Sequence, residues 1–290
     1  MNLTQQIING LVLGHAYALI AVGWTVLVGV ARSVNFAHGQ IYMLAAFVAW
    51  ACTATLGLSY PLAILIAVVA GALVGLLMQY IMMKATLEKN VVSIMIMTLG
   101  FGYLLHGAAA LIFGSTGQMF DTPLSLRDMD LASVLLTWQD LAIVATAIAL
   151  FVGLKITIDR TALGRIIRMV AEDPALSMLA GIRVRAVYLL VFAFEGAAVA
   201  LAAGLVAPRT PILTSMGFDE VIMTFVVVVL GGMGSIMGGY LAGLSLGLFT
   251  ALFGAYVSPA YTTTAAFAVL VAVLVLRPGG LVTHSTRQAH

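Results

Sequence analysis

The sequence predicts an all-α integral membrane protein with about eight transmembrane helices, and its composition is the first observation behind this prediction. Of the 290 residues, 62% are hydrophobic and only 8% are charged, and the mean hydropathy is +1.13. In an ordinary soluble domain about a quarter of the residues are charged. The surface of this chain must therefore be solvated largely by lipid.

The second observation is the length of the apolar runs. Most of them reach the roughly 20 residues that a helix needs to cross the hydrocarbon layer. They are continuously apolar, without the alternation of a β-barrel strand, which favours helices. The run 221–253 is too long for one span and is interrupted by glycines, so we expect two helical pieces around a turn. We also expect some of the spans to be broken or re-entrant. The predicted runs are 7–31, 41–56, 61–83, 91–113, 141–158, 186–207, 221–253 and 262–276.

We expect these runs to form a single transmembrane domain over residues 1–290. The first charged side chain is Arg32, so the N-terminal segment lacks the basic start of a secretory signal peptide, and we expect it to be retained as the first span. The single cysteine, Cys52, cannot form an internal disulfide or a multi-thiolate metal site. It is expected to be a small buried hydrophobic residue.

The third observation is the clustering of charge, which predicts the orientation because basic loops are retained in the cytoplasm. The stretch 121–130 carries one arginine and three aspartates and is expected outside. Counting spans back places the N-terminus outside and the loop 32–40 inside, although a broken segment near Asn35 would reverse this end. The residues that mark the cytoplasmic side are Lys84, Lys89, Lys155, Arg160, Arg165, Arg168, Arg183, Arg185, Arg277 and Arg287.

The cytoplasmic stretch of about residues 155–185 is predicted to contain a short helix between two spans. Thr161 can cap one helix, and Asp173 followed by Pro174 is a second helix start, because the carboxylate accepts free amide protons and proline suits the first turn. Gly181 provides the stop. Such a helix could receive a partner protein, or it could be an amphipathic connector with solvated charges. The residues assigned to coupling are Gly164, Arg165, Arg168, Ala171, Glu172, Asp173 and Gly181.

Four polar residues in or beside apolar runs are candidates for a solute pathway. Asn35, His38 and Gln40 share one turn, where they could line the path or simply satisfy backbone groups. Glu195 lies about ten residues into a span, where an ionisable group is costly unless it is paired, protonated or facing water. Its role is either pathway lining or a structural hydrogen bond, and its candidate partners are Arg209, His15 and His106. A lone histidine supplies too few ligands for a metal, and we expect no metal site.

Several motifs spread along the chain resemble one transporter family. The stretch Gly164-Arg165-x-x-Arg168-x-x-Ala171-Glu172-Asp173, with Gly181-Ile182 beyond it, resembles the coupling loop of permeases in the branched-chain amino acid ABC importer family. Further blocks that are similar to this family are Gly14-x-x-Tyr17-Ala18-Leu19, Asn35-Phe36-Ala37-His38-Gly39-Gln40, Gly231-Gly232-Met233-Gly234-Ser235 and Arg277-Pro278-x-Gly280-Leu281. The resemblance covers essentially the whole chain.

The resemblance implies a pathway-forming subunit in a bacterial inner membrane, with a second permease subunit, two cytoplasmic ATPase subunits and a periplasmic solute-binding protein as partners. No Gly-x-x-x-x-Gly-Lys-Ser/Thr loop occurs in the sequence, so ATP hydrolysis is expected on another chain. We expect no cofactor, no nucleic-acid partner and no enzymatic activity, since no paired acids or activated nucleophile stand out. Small-residue spacings between Gly231 and Gly247 are expected to serve close helix packing.

Two alternatives remain open at this point. The same architecture could carry urea or short amides, because the sequence does not identify the solute. A transporter of a different class, driven by an ion gradient, would use Glu195 to carry a proton or cation.

Overall fold

The computed structural model describes residues 3–88, 90–114, 116–131, 134–277 and 279–280, and the described chain is mainly helical. A short antiparallel hairpin, β1 (Asp128–Leu131) and β2 (Val134–Thr137), lies between the fourth and fifth helices. The helices are α1 (Leu3–Ala31), α2 (His38–Ala54), α3 (Tyr60–Leu87), α4 (Val91–Phe113), α5 (Trp138–Arg160), α6 (Ala162–Glu172), α7 (Pro174–Leu179), α8 (Val184–Val206), α9 (Met216–Gly231), α10 (Ile236–Tyr256) and α11 (Thr262–Leu276).

Each predicted apolar run corresponds to a helix, and the prediction of an all-α membrane protein is confirmed. Within the described residues, seven helical segments are long and apolar enough to cross a membrane: α1, α3, α4, α5, α8, α10 and α11 with the 3-10 turn before it. The long run 221–253 divides as predicted into α9 and α10, and Gly232 and Gly234 adopt positive φ at the turn between them. Only glycine adopts such backbone angles readily.

Helices α2 and α9 are shorter, with 17 and 16 residues. At 1.5 Å per residue they span only about 25 Å, less than the roughly 30 Å hydrocarbon layer. Helix α2 begins beside the middle of α1, where His38 contacts the carbonyl of Ile20, and α9 begins beside the start of α2, where Gly217 packs on Gly39. The two short helices therefore start inside the protein and meet there.

Small residues bring the central helices into close contact. Helix α1 is largely buried and packs on α8 and α10. Gly243 of α10 lies against Ala18, and Gly247 lies against Gly14, where no side chain would fit. Lipid tails are as apolar as the helix surfaces, so backbone approach of this kind is a main source of helix association. The predicted packing role of the glycines between Gly231 and Gly247 is confirmed.

The loop predicted over residues 32–40 on the cytoplasmic side needs a correction. Arg32 is exposed at the end of α1, but Asn35, His38 and Gln40 are buried in the protein interior. The chain turns back along α1 after Arg32, because the polar side chains of this segment find their hydrogen-bond partners on α8 and α1. The segment thus re-enters the protein interior as the non-helical first part of a second span, and we name it the re-entrant turn.

The turn after Arg32 does not change the end of the bundle at which α1 starts, relative to the hairpin. Gln5, near the start of α1, hydrogen-bonds to Leu135 of the hairpin, and Tyr60 at the start of α3 bonds to Gly204 at the end of α8. The start of α1 therefore lies at the same end of the bundle as the hairpin and the start of α3. Residues 32–54 complete the second crossing.

Most of the described basic residues lie at the other end, which we name the basic end. Gly29 packs on Gly234 there, and Gly280 packs on Gly232, which places the ends of α1 and α11 together. Leu87 at the end of α3 lines a shallow cavity with Arg183 and Arg185. The residues that define the basic end are Arg32, Lys84, Lys155, Arg160, Arg165, Arg168, Arg183, Arg185 and Arg277. Lys89, Arg287, Pro278 and Leu281, which the sequence analysis also used, fall outside the described residues.

The basic end is expected to face the cytoplasm, because basic loops are retained there. In a Cys52→Ala background, Arg127→Cys places a thiol at an exposed position near the hairpin, and Arg165→Cys places one at an exposed position of the basic end. An impermeant thiol reagent added to intact cells should label the first variant. The second should be labelled only after the membrane is opened.

The reverse labelling pattern would overturn the orientation. Labelling of neither variant in opened membranes would show that the chosen positions are inaccessible, contrary to their exposure in the structure.

Candidate functional site

Asn35 is the first member of a buried polar network at the break between α1 and α2. Its Oδ1 accepts the backbone N–H of Ala37 at 2.9 Å, which closes a local turn. Its Nδ2 lies 2.8 and 2.9 Å from the two carboxylate oxygens of Glu195, which is 160 residues further along the chain in α8. One asparagine therefore forms the turn and ties it to the middle of another span.

His38 and Glu195 complete the network. The His38 Nδ1 lies 3.0 Å from Oε1 of Glu195, and Nε2 lies 3.1 Å from the carbonyl oxygen of Ile20. The imidazole also stacks on Trp24, with ring centroids 5.2 Å apart. Because both ring nitrogens face acceptors, the bonds require one proton shared by the histidine and the acid. The pair is neutral overall whether that proton lies on nitrogen or on oxygen.

The partners of Glu195 differ from those considered in the sequence analysis. Arg209 pairs with Asp140 at 3.2 Å. His15 contacts the Leu11 carbonyl and the Tyr240 hydroxyl, and His106 contacts the Thr214 carbonyl. None of the three suggested partners contacts Glu195. Sequence spacing could not reveal the real partners, since the contact depends on the re-entrant turn.

The structure thus brings three of the four candidate pathway residues together, while Gln40 lies apart. Asn35, His38 and Glu195 are at most 1% exposed and are enclosed by α1, α2 and α8. Gln40 is 2% exposed and adjoins Gly217 at the start of α9, and its Oε1 has no hydrogen-bond partner among the described residues. No group of three or more potential metal-binding side chains occurs in the described part of the chain.

The predicted coupling segment has the expected local structure. Thr161 caps α6 by accepting the N–H of Gly164 at 3.1 Å, and Asp173 caps α7 by accepting the N–H groups of Ala175 and Leu176 at 2.8 and 3.1 Å. Gly181 has a φ of 81° and ends the segment, as predicted from its position after α7. Gly164 lies directly against the carbonyl groups at the end of α5, so a side chain there would separate α6 from α5.

Helix α6 is amphipathic, and its apolar face is turned inward. Ile167 and Val170 are buried, while Arg165 and Arg168 are exposed. The Arg168 guanidinium donates to the carbonyl of Ile158, which fastens α6 to the last turn of α5. A cavity of about 690 Å³ lies between α6 and the basic-end termini of α1, α5 and α10, and Ala171 and Glu172 contribute to its lining.

Helix α7 presents apolar side chains at the basic end. Leu176 is 64% exposed and Leu179 is 85% exposed, and Met178 beside them is also exposed. Exposed apolar side chains grouped with charged neighbours at a bundle end are typical of a protein-contact surface. The segment has the structure needed to receive a partner, and its charged residues Glu172 and Asp173 lie at the junction of α6 and α7.

The sequence analysis missed Glu220, in the first turns of α9. Its Oε2 is buried and has no hydrogen-bond partner among the described residues. The residue stands beside Asp219 just before an apolar run, where acids usually face water, so it resembled a loop acid. The short apolar stretch between Glu220 and the glycines that begin at Gly231 was the available signal that α9 starts inside the protein.

Comparisons with known proteins agree with the fold. The chain is similar to BraD, a high-affinity branched-chain amino acid transport system permease protein of Pseudomonas aeruginosa, with 34% identity over 96% of this chain and 94% of the relative. It is 31% identical to the corresponding permease protein LivH of Escherichia coli over the same shares. A probable branched-chain amino acid transport permease protein of Methanocaldococcus jannaschii is 26% identical over 96% of this chain and 92% of the relative.

A solved structure gives independent support for the fold. PsaBC from Streptococcus pneumoniae in complex with Fab matches with a TM-score of 0.50 and 14% identity, covering 92% of this chain and 90% of that chain. The model of the family described as branched-chain amino acid transport system, permease component, matches residues 6–275. The chain is therefore a multi-pass membrane protein that belongs to the branched-chain amino acid transport system permease family.

Proposed function

We propose that this chain forms part of the translocation pathway of an ATP-driven importer for branched-chain or similar apolar amino acids in a bacterial inner membrane. The observation that carries the proposal is the family match over residues 6–275, together with relatives named as branched-chain amino acid permeases at 31% and 34% identity. The composition of the spans also supports the proposal. Their side chains are chiefly small and aliphatic, and a path between them suits a solute with an apolar tail and no net charge.

The proposed assembly contains a second permease subunit, two ATPase subunits and a periplasmic solute-binding protein. The chain has no phosphate-binding loop, so the ATPase must be supplied by other subunits. Its described segments outside the spans are short connectors and one hairpin, which offer no solute-binding domain. Transport of urea or short amides is the less favoured candidate function, because the relatives are named for branched-chain amino acids.

The α6–α7 segment is the proposed contact with an ATPase subunit. Its exposed leucines offer apolar contact area, and its caps make the segment rigid enough to transmit a push. Helix α6 packs on α1, α5 and α8, so a displacement of α6 acts directly on three spans. The residues proposed for coupling are Gly164, Arg165, Arg168, Ala171, Glu172, Asp173 and Gly181.

Glu195 has a positioning role in this proposal. Both of its oxygens are bonded within the chain, and the acid is enclosed at 0% exposure. A proton-carrying acid must exchange its proton with water from alternate sides, and the enclosure of Glu195 offers no such access. We therefore expect the network of Asn35, His38 and Glu195 to shape the solute path. Of the four candidate pathway residues, we expect Gln40 to lie nearest to that path.

Transport in a reconstituted system tests the proposed function. Proteoliposomes that contain this chain with the partner subunits encoded beside it should accumulate radiolabelled leucine only when ATP and the binding protein are supplied. Accumulation that follows an imposed proton gradient without ATP would reject the proposal and favour a secondary transporter. ATP-driven uptake of urea without leucine uptake would reject only the assigned solute.

The coupling segment predicts a specific defect. Glu172→Ala and Gly181→Leu should leave membrane insertion intact but reduce leucine uptake per ATP hydrolysed at least fivefold, because the first removes an exposed charge of the contact and the second strains a turn with positive φ. Glu88→Ala is the matched control, since Glu88 is an exposed acid at the same end outside the segment. Equal coupling ratios in all three variants at normal expression would remove the basis for this assignment.

The buried network predicts a graded effect of substitutions at Glu195. Glu195→Ala removes the partner of His38 Nδ1 and of Asn35 Nδ2, and removal of one member of a buried pair costs about 3–5 kcal/mol. Its melting temperature should fall sharply in purified protein. Glu195→Gln keeps acceptor and donor groups in place, so it should retain most ATP-driven leucine uptake and lose less stability.

Two results would contradict this role. Unchanged stability in Glu195→Ala would show that the network does not hold the re-entrant turn. Loss of uptake in Glu195→Gln at normal stability would show that the proton of the acid is used in transport.

A further inference from the structure

Glu220 is a half-buried acid whose bonding differs from that of the fully buried Glu195. Glu195 accepts hydrogen bonds from Asn35 and shares one with His38, whereas the buried Oε2 of Glu220 has no partner among the described residues. Polar atoms buried without a partner are rare in native proteins and need an explanation. A buried carboxylate that the fold itself does not satisfy is most readily explained by a group that binds to it during function.

The surroundings of Glu220 are formed by the two interrupted helices. Gly217, three residues earlier in α9, packs directly on Gly39 of α2, so the first turns of both helices meet inside the protein. The first amide groups of a helix have no acceptor within it, and unwound or interrupted helices of this kind form solute sites in transporters. The meeting point is therefore a polar place in an otherwise apolar interior.

A second unsatisfied acceptor lies at the same junction. Gln40 is 2% exposed, and its Oε1 has no partner among the described residues. That oxygen adjoins Gly217, because a Cβ added to Gly217 would lie 2.7 Å from it. The junction thus offers an amide oxygen of α2 and a carboxylate oxygen in the first turns of α9 as acceptors.

The two acceptor oxygens of Glu220 and Gln40 match a cationic hydrogen-bond donor. The nearby arginine, Arg209, is already paired with Asp140, and the described spans place no lysine at this level. A primary ammonium has three donors and no acceptor, which matches two oxygens without partners. A bound ammonium group favours the charged form of a carboxylate, as does the helix dipole in the first turns of a helix.

We infer that Glu220, with Gln40, forms the site that recognises the ammonium group of the zwitterionic solute as it passes the junction of α2 and α9. This inference rests on the proposed transport of amino acids and deepens it, by naming the chain's own group that selects solutes with a free amine.

Three variants in the reconstituted importer test the inference. Glu220→Gln keeps the size of the side chain and its hydrogen-bonding atoms but removes the charge, so leucine uptake with saturating binding protein should fall at least tenfold. Glu220→Asp keeps the charge and should retain at least a third of the uptake. Asp219→Asn, which alters the exposed neighbouring acid, is the matched control and should stay within twofold of the unaltered protein.

The relative leucine uptake of the two Glu220 variants distinguishes solute recognition from a structural role. A structural role would favour the isosteric Gln over the shorter Asp, so uptake by Glu220→Gln equal to or greater than that by Glu220→Asp would overturn the inference. Melting temperatures of the purified complexes provide a second readout, and we expect Glu220→Gln to match the unaltered protein. Loss of uptake together with a loss of complex yield or melting temperature in Glu220→Gln would also overturn it.

A bound metal ion would be a different explanation for the free carboxylate. Replacement of sodium by choline on both sides of the membrane should leave leucine uptake unchanged, and a dependence on sodium would assign Glu220 to the ion and reject the inference. The proposed function is tested separately by the unaltered protein. If that protein transports no amino acid, the proposed function fails, whereas normal uptake in Glu220→Gln leaves that function standing and removes only the ammonium site.

Discussion

Lipid cannot hydrogen-bond to the polypeptide backbone, and the structure around the first helix break depends on this constraint. Where α1 ends and α2 begins inside the protein, the freed backbone groups must find partners within the chain. Asn35 accepts the N–H of Ala37, and the hydroxyl of Thr98 in α4 accepts the N–H of Phe36. The other end of the Asn35 side chain bonds to Glu195. The break is stable because polar side chains from neighbouring spans replace water.

The same network requires a close approach of α1 and α8. Gly23 of α1 lies against the backbone of Glu195, where a larger residue would displace the acid. Gly71 and Gly75 of α3 make similar contacts on the other side of α8, with Gly196 and Phe192. The small residues therefore do more than provide dispersion contacts. They set the position of a carboxylate to within hydrogen-bonding distance of a turn that is 160 residues away.

Features of the fold that depend on local sequence could be predicted, and features that depend on distant contacts could not. Apolar run lengths predicted the helices, and Thr161 and Asp173 predicted the caps, because span length and capping are decided within a few residues. Glu195 stood out because it interrupts an apolar run, but its partners were wrong since they sit on a re-entrant turn. Glu220 escaped notice because its neighbour Asp219 is exposed and nothing local distinguishes the two acids.

The buried Glu195 of α8 and the half-buried Glu220 of α9 differ in their bonding. Helix α2 starts at the satisfied network of Glu195 and, two residues later, reaches Gln40 beside α9. A fully bonded acid resists movement, since any shift exposes unpaired polar groups to an apolar interior. An unbonded acid makes no such demand and is free to exchange partners. Glu195 therefore fixes the start of α2 to α1 and α8, the helices that contact α6. At the junction of α2 with α9, by contrast, acceptor atoms have no hydrogen-bond partner among the described residues. A movement that enters through α6 would thus be carried by rigid contacts to α2, where Gln40 has an unsatisfied acceptor beside the start of α9.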